Sequence, residues 1–99
     1  LKMQEQYEMY ENIEEIIKKL QEKSIIDILK TSEIIYKSKE EIFDILEFIN
    51  IIILNLAKSS YKYANCVEIV ENTKKRLKSN ANYDMSIDNM LLKMKEAII

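Results

Sequence analysis

Residues 38–57 read Ser-Lys-Glu-Glu-Ile-Phe-Asp-Ile-Leu-Glu-Phe-Ile-Asn-Ile-Ile-Ile-Leu-Asn-Leu-Ala. From Ile42 to Ala57 twelve of the sixteen residues are apolar, and only Asp44, Glu47, Asn50 and Asn55 interrupt them. A segment this apolar on every side is either a membrane span or the central helix of a helical bundle. A span needs about 20 largely apolar residues, and two carboxylates in its first half are costly in hydrocarbon. The segment is therefore expected to be a buried helix, with some apolar surface left over for a partner chain. Ser38 followed by Glu41 has the spacing of a capping box and predicts the start of that helix.

Outward from this helix the same 3.6-residue period recurs. Upstream, Met3, Tyr7, Tyr10, Ile13, Ile17 and Leu20 form one stripe of a helix expected over about residues 3–21. Its outer face carries Glu14 four residues before Lys18 and Glu15 four before Lys19, the favourable order for exposed pairs. Ser24 with Asp27 predicts a second start, and that helix is expected to bury Ile25, Ile28, Leu29 and Ile35 and to end near Tyr36. Downstream, Lys58–Ala64 is the least periodic stretch and reads as a connection. Asn65, with Glu68 at N3 and an Ala64–Ile69 staple, is expected to cap a fourth helix whose apolar side is Cys66, Val67, Ile69, Val70 and Leu77. Lys74, Lys75, Arg76 and Lys78 crowd its end, either as a solvated helix C-terminus favoured by exposed carbonyls or as a phosphate-binding patch. Asn80, Ala81 and Asn82 make a tight corner, with Asn80 ending one helix in a left-handed conformation and Asn82 capping the next. The fifth helix places Ile87, Met90, Leu91, Met94 and Ile98 on one stripe, its methionines reading as adaptable core.

The fold class expected is all-α, a compact bundle of about five helices in a single domain over residues 1–99. Composition sharpens this by exclusion. The 99 residues carry 15 Lys+Arg against 17 Asp+Glu, a formal charge of -2, with 47% hydrophobic residues and no Gly, Pro, His or Trp. Without glycine the phosphate-cradling loops of nucleotide-binding sites cannot form, and without histidine the usual catalytic bases are missing. Adjacent carboxylates such as Glu14 with Glu15 or Glu40 with Glu41 point about 100° apart on a helix and make a poor catalytic pair. No catalysis, cofactor, metal or small-molecule ligand is expected in this chain. Cys66 is alone and reads as a small core hydrophobe in a reducing, cytoplasmic setting. The near-neutral charge argues against direct nucleic-acid contact, and no membrane contact is expected. The chain opens at Leu1 without an initiator Met and reads as a piece of a longer protein.

Residues 67–96 read Val-Glu-Ile-Val-Glu-Asn-Thr-Lys-Lys-Arg-Leu-Lys-Ser-Asn-Ala-Asn-Tyr-Asp-Met-Ser-Ile-Asp-Asn-Met-Leu-Leu-Lys-Met-Lys-Glu. This third of the chain resembles the C-terminal end of bacterial DNA polymerase III clamp-loader subunits, most closely those of the delta-prime type. In that family a basic helix ends in an Asn-x-Asn corner and leads into a helix with a Leu-Leu pair. Arg76, Leu77, Asn80, Asn82, Ile87, Leu91 and Leu92 stand at the corresponding positions. The resemblance implies a collar domain, the helical C-terminal part that joins five subunits into the ring that loads the sliding clamp in DNA replication. It implies tau or gamma subunits and delta as partners, with the ATPase modules lying before Leu1. It makes Asn80, Asn82, Leu91 and Leu92 the structural motif and Arg76, Tyr83, Met90 and Met94 candidate interface residues. An unrelated helical adaptor domain, or the collar of a tau or gamma subunit, are the alternatives.

Overall fold

A chain without glycine has to close its helices by other chemistry, and in this protein serine and lysine do most of it. The computed structural model describes residues 2–79 and 82–98, with side-chain surroundings given for 6–79 and 82–98. The helices are α1 (Lys2–Lys18), α2 (Ile25–Lys37), α3 (Ile42–Ala57), α4 (Ala64–Lys78) and α5 (Tyr83–Ile98), with short 3₁₀ turns at Lys39–Glu41 and Tyr61–Tyr63. Ser38, just past α2, donates its hydroxyl to the Ile34 carbonyl at 3.1 Å, and Ser79, past α4, donates to that of Lys75 at 3.0 Å. Each reaches back four residues to a carbonyl of the last turn, and that of Lys75 also accepts the Ser79 amide at 3.2 Å. At the end of α3 the amides of Ser59 and Ser60 both donate to Leu56. After α1 the amides of Glu22 and Lys23 both donate to the Lys19 carbonyl, and the turn is held from far away: Lys95 Nζ on α5 donates to the carbonyls of Leu20, Gln21 and Lys23 at 3.2, 3.0 and 2.7 Å.

Helix starts follow two mechanisms. Ser24 Oγ accepts the Asp27 amide at 3.2 Å and Asn82 Oδ1 accepts that of Met85 at 3.0 Å, so both expected side-chain caps form. The other two expectations are corrected. Ser38 makes no side-chain cap, because its hydroxyl is turned back to Ile34 and Met9 while the 3₁₀ turn Lys39–Glu41 feeds the chain into α3. Asn65 lies inside α4, which starts at Ala64 after the 3₁₀ turn at Tyr61–Tyr63, and no side chain caps it. In both places the turn satisfies early amides through the backbone, Glu41 to the Ser38 carbonyl and Tyr63 to that of Ser60.

The helices pack in a closed circuit: α1 on α2, α2 on α5, α5 on α4, α4 on α3 and α3 back on α1. Every helix therefore turns a stripe toward one shared core. That core takes Ile13, Ile17 and Leu20, then Ile28 and Ile35 from α2, Ile45, Leu46, Ile49 and Ile53 from α3, Cys66, Val70 and Leu77 from α4, and all five expected residues of α5. Each such aliphatic side chain stabilises the fold by about 1.5–3 kcal/mol relative to exposure. The radius of gyration, 12.6 Å, meets the ~13 Å of a compact chain of about 100 residues.

Three side chains expected inside are outside: Tyr7, Ile25 and Leu29 are 65, 56 and 37% exposed. Their stripes are wider than the neighbouring helices can cover. Small polar residues enter instead. Thr31 and Ser32 are buried where α2 meets α5, and Ser32 Oγ donates to Asp88 Oδ1 at 2.5 Å across that contact. Small residues let helix axes approach, which larger apolar ones would prevent. Both exposed pairs on α1 form, Glu14–Lys18 at 3.1 Å and Glu15–Lys19 at 3.9 Å.

Candidate functional site

Two seams of the circuit reach the surface with distinctive chemistry. The first lies between α1 and α3. Tyr10 and Phe48 meet edge to face, ring centroids 4.7 Å apart and planes at 84°. With Tyr7 they line an open groove rimmed by Glu11 and Glu14. Burial, followed by the carboxylates of Glu41 and Asp44, raises the pKa of Tyr10. Along α3 the apolar surface continues one helical turn at a time, through Phe48 and then Ile51 and Leu54, which are 56 and 48% exposed. This is the apolar excess the sequence led one to expect.

The second seam lies between α4 and α5. From α4 it takes Asn72, Thr73 and Arg76, and from α5 Ser86, Asn89 and Lys93, around a small cavity of about 60 Å³. Ile69 and Met90 close its inner side. Both helices thus contribute positions at i, i+3, i+4 and i+7, the spacing of a single helix face. Among the described residues no carboxylate lines it. The nearby acids are engaged elsewhere, Asp88 by Ser32 and Glu71 by Lys74.

The basic run at the end of α4 divides between several tasks. Lys74 is not a solvated terminus: its side chain is 11% exposed and pairs with Glu47 of α3 and, at 3.2 Å, with Glu71. Burial opposes its charge, but the hydrogen bonds to Glu47 and Glu71 outweigh burial and raise its pKa. Lys78 Nζ stands 5.9 Å from the centroid of Phe43. Only Arg76 of the four lines the α4–α5 cavity.

Of the residues singled out in sequence, Asn82 is exposed and caps α5, Leu91 is fully buried, and Leu92 packs at the edge of the core. Asn80 lies outside the described residues. Arg76 is exposed, and Tyr83 is half-buried with Lys39 Nζ 5.6 Å from its ring centroid. Met90 and Met94 are 1 and 0% exposed, which corrects their reading as interface residues: they face the core, where no partner touches them in the folded domain. Asn72, Ser86, Asn89 and Lys93 escaped sequence reasoning, although their spacing beside the apolar stripes was a usable signal.

Cys66 is buried with its thiol against the Met94 carbonyl, Sγ to O 3.9 Å, and desolvation pushes its pKa up to about 11. It is a neutral thiol at physiological pH, without nucleophilic character. No group of three or more His, Cys, Asp or Glu among the described residues is placed to hold a metal ion. No described helix is long and apolar enough to cross a membrane. Comparison with known protein families, curated proteins and solved structures finds no match to this chain.

Proposed function

We propose that this chain is a protein-assembly module, the collar domain of a cytoplasmic clamp-loader subunit of the delta-prime type, working by apolar contact with tau or gamma subunits and delta and carrying no catalytic group of its own. The observation that carries the assembly role is the exposed pair Ile51 and Leu54 on α3, following the half-buried Phe48, which shares a groove with Tyr7 and Tyr10. Apolar surface grouped in this way is the mark of a contact site. The clamp-loader assignment rests on residues 67–96, and the side-chain cap at Asn82 agrees with the corner that resemblance implies.

The experiment is coassembly of the intact subunit with tau or gamma and delta, read by size-exclusion chromatography with light scattering. Ile51→Glu with Leu54→Glu should abolish the complex while circular dichroism and melting stay as in the parent. Because burial rather than charge drives the contact, moderate salt should weaken it little. Full assembly by a subunit lacking residues 1–99 would sink the reading. A second reading, an adaptor domain for an unrelated helical partner, is favoured by one fact: the apolar stripe lies on α1 and α3, outside the segment that carries the resemblance. Failure to bind any clamp-loader subunit, with the stripe still needed for another partner, would select it.

A further inference from the structure

The α4–α5 cavity calls for a ligand that the assembly role does not supply. Its walls present donors of three kinds: the Arg76 guanidinium and the Lys93 ammonium, the amide groups of Asn72 and Asn89, and the hydroxyl of Ser86. Among the described residues neither Arg76 nor Lys93 has a carboxylate within 4.0 Å, although acidic residues outnumber basic ones in the chain. Ser86 is 6% exposed, and its hydroxyl, which bonds to no described residue, faces the cavity. Thr73 is 5% exposed and spends its proton on the Ile69 carbonyl at 2.8 Å, so it offers the cavity only a lone pair and a methyl group. The Ser86 hydroxyl opens onto the cavity, where an entering acceptor can receive its proton. Two unpaired cations beside it set the sign of that partner.

We propose that this cavity binds the phosphoryl group of phosphate or of a small phosphate monoester, with Arg76 and Lys93 pairing the charge and Ser86, Asn72 and Asn89 donating to the oxygens. The guanidinium fork matches adjacent oxygens of a phosphoryl group, while the ammonium acts as a point charge. The cavity, about 60 Å³, is small and opens to solvent, so it suits a phosphoryl group whose ester substituent stays outside.

The test is titration of the isotope-labelled 99-residue chain with inorganic phosphate, with phenyl phosphate and with a single-stranded oligothymidylate, each at constant ionic strength with chloride as control. Saturable amide shifts confined to Asn72, Arg76, Ser86, Asn89 and Lys93 are expected with both phosphates. Response to phosphate alone would identify the free ion as the occupant; equal response to the ester would identify a terminal phosphoryl group. Arg76→Gln and Lys93→Gln are exposed substitutions and should each weaken binding at least tenfold with an unchanged circular dichroism spectrum. Ser86→Ala should weaken it less and provides a check independent of charge. Shifts that grow linearly without saturation, or that survive Arg76→Gln and Lys93→Gln, would overturn the proposal. So would tighter binding of the oligonucleotide with shifts spread over Lys75 and Lys78.

Discussion

The α1–α3 seam and the α4–α5 seam both run along helix faces repeated at three and four residues, and they carry opposite chemistry. Between α1 and α3 aromatic rings and aliphatic side chains reach the surface beside Glu11 and Glu14. Between α4 and α5 amides, a hydroxyl and two cations surround a small cavity with no carboxylate. A net charge near zero conceals this division, because neighbouring acids of α4 and α5 are already engaged, Asp88 by Ser32 of α2 and Glu71 by Lys74. The sign of a surface is thus decided by tertiary pairing as much as by composition. One seam suits a partner that brings area, the other a ligand that brings charge.

If the first seam is an outward face laid on a closed core, its inner and outer walls must differ sharply in what they do for stability. Ile49→Ala, on the buried side of α3, should cost about 3–4 kcal/mol through lost burial and the cavity left behind. Ile51→Ala, half a turn away on the exposed side, should stay within about 0.5 kcal/mol. Urea unfolding monitored by circular dichroism checks both. Similar losses from the two would mean that no free face exists there.

α4 and α5 also meet in the core, where Cys66 lies against the Met94 carbonyl. The folded thiol titrates near 11 against an ordinary value of 9.0, so the folded state holds this proton more tightly than the unfolded state does. The stability this represents is complete below pH 9 and is lost as pH rises toward 11, about 2–3 kcal/mol in all. The stability gap between the parent and Cys66→Ala should therefore narrow over that window. A gap that stays constant from pH 8 to 11 would show that water reaches the thiol. Smallest of the three, Asn82→Ala should cost about 1 kcal/mol by stripping the cap from α5, seen as a lower melting temperature. An unaltered melting temperature would remove Asn82 from the helix start.

Much of this architecture was legible. The end of α3 and the five buried positions of α5 follow directly from apolar periodicity, and Ser24 and Asn82 announce their helices, whereas α3 begins at Ile42 rather than directly after Ser38. The failures share physical causes. Periodicity shows which face of a helix is apolar but not how far a neighbour extends over it, so Tyr7, Ile25 and Leu29 were misplaced. The capping spacings at Ser38 and Asn65 compete with 3₁₀ turns that satisfy the same amides through the backbone, and nothing local in sequence decides that competition. Lys74 finds Glu47 27 residues away, and the polar lining of the α4–α5 cavity exists only once two helices meet. Sites assembled across helices are hidden for the same reason that the helices themselves are visible.

The three hydrogen bonds from Lys95 to Leu20, Gln21 and Lys23 span 72–75 residues of chain. Their consequence is one of timing. During synthesis α1 can coil as soon as it emerges, but the carbonyls of Leu20, Gln21 and Lys23 in the turn that follows it remain open to water until residue 95 has been added and α5 has docked. Early folding is thereby kept provisional. The first helix is locked by the last, so the domain is expected to gain and lose its native contacts as one cooperative unit rather than helix by helix.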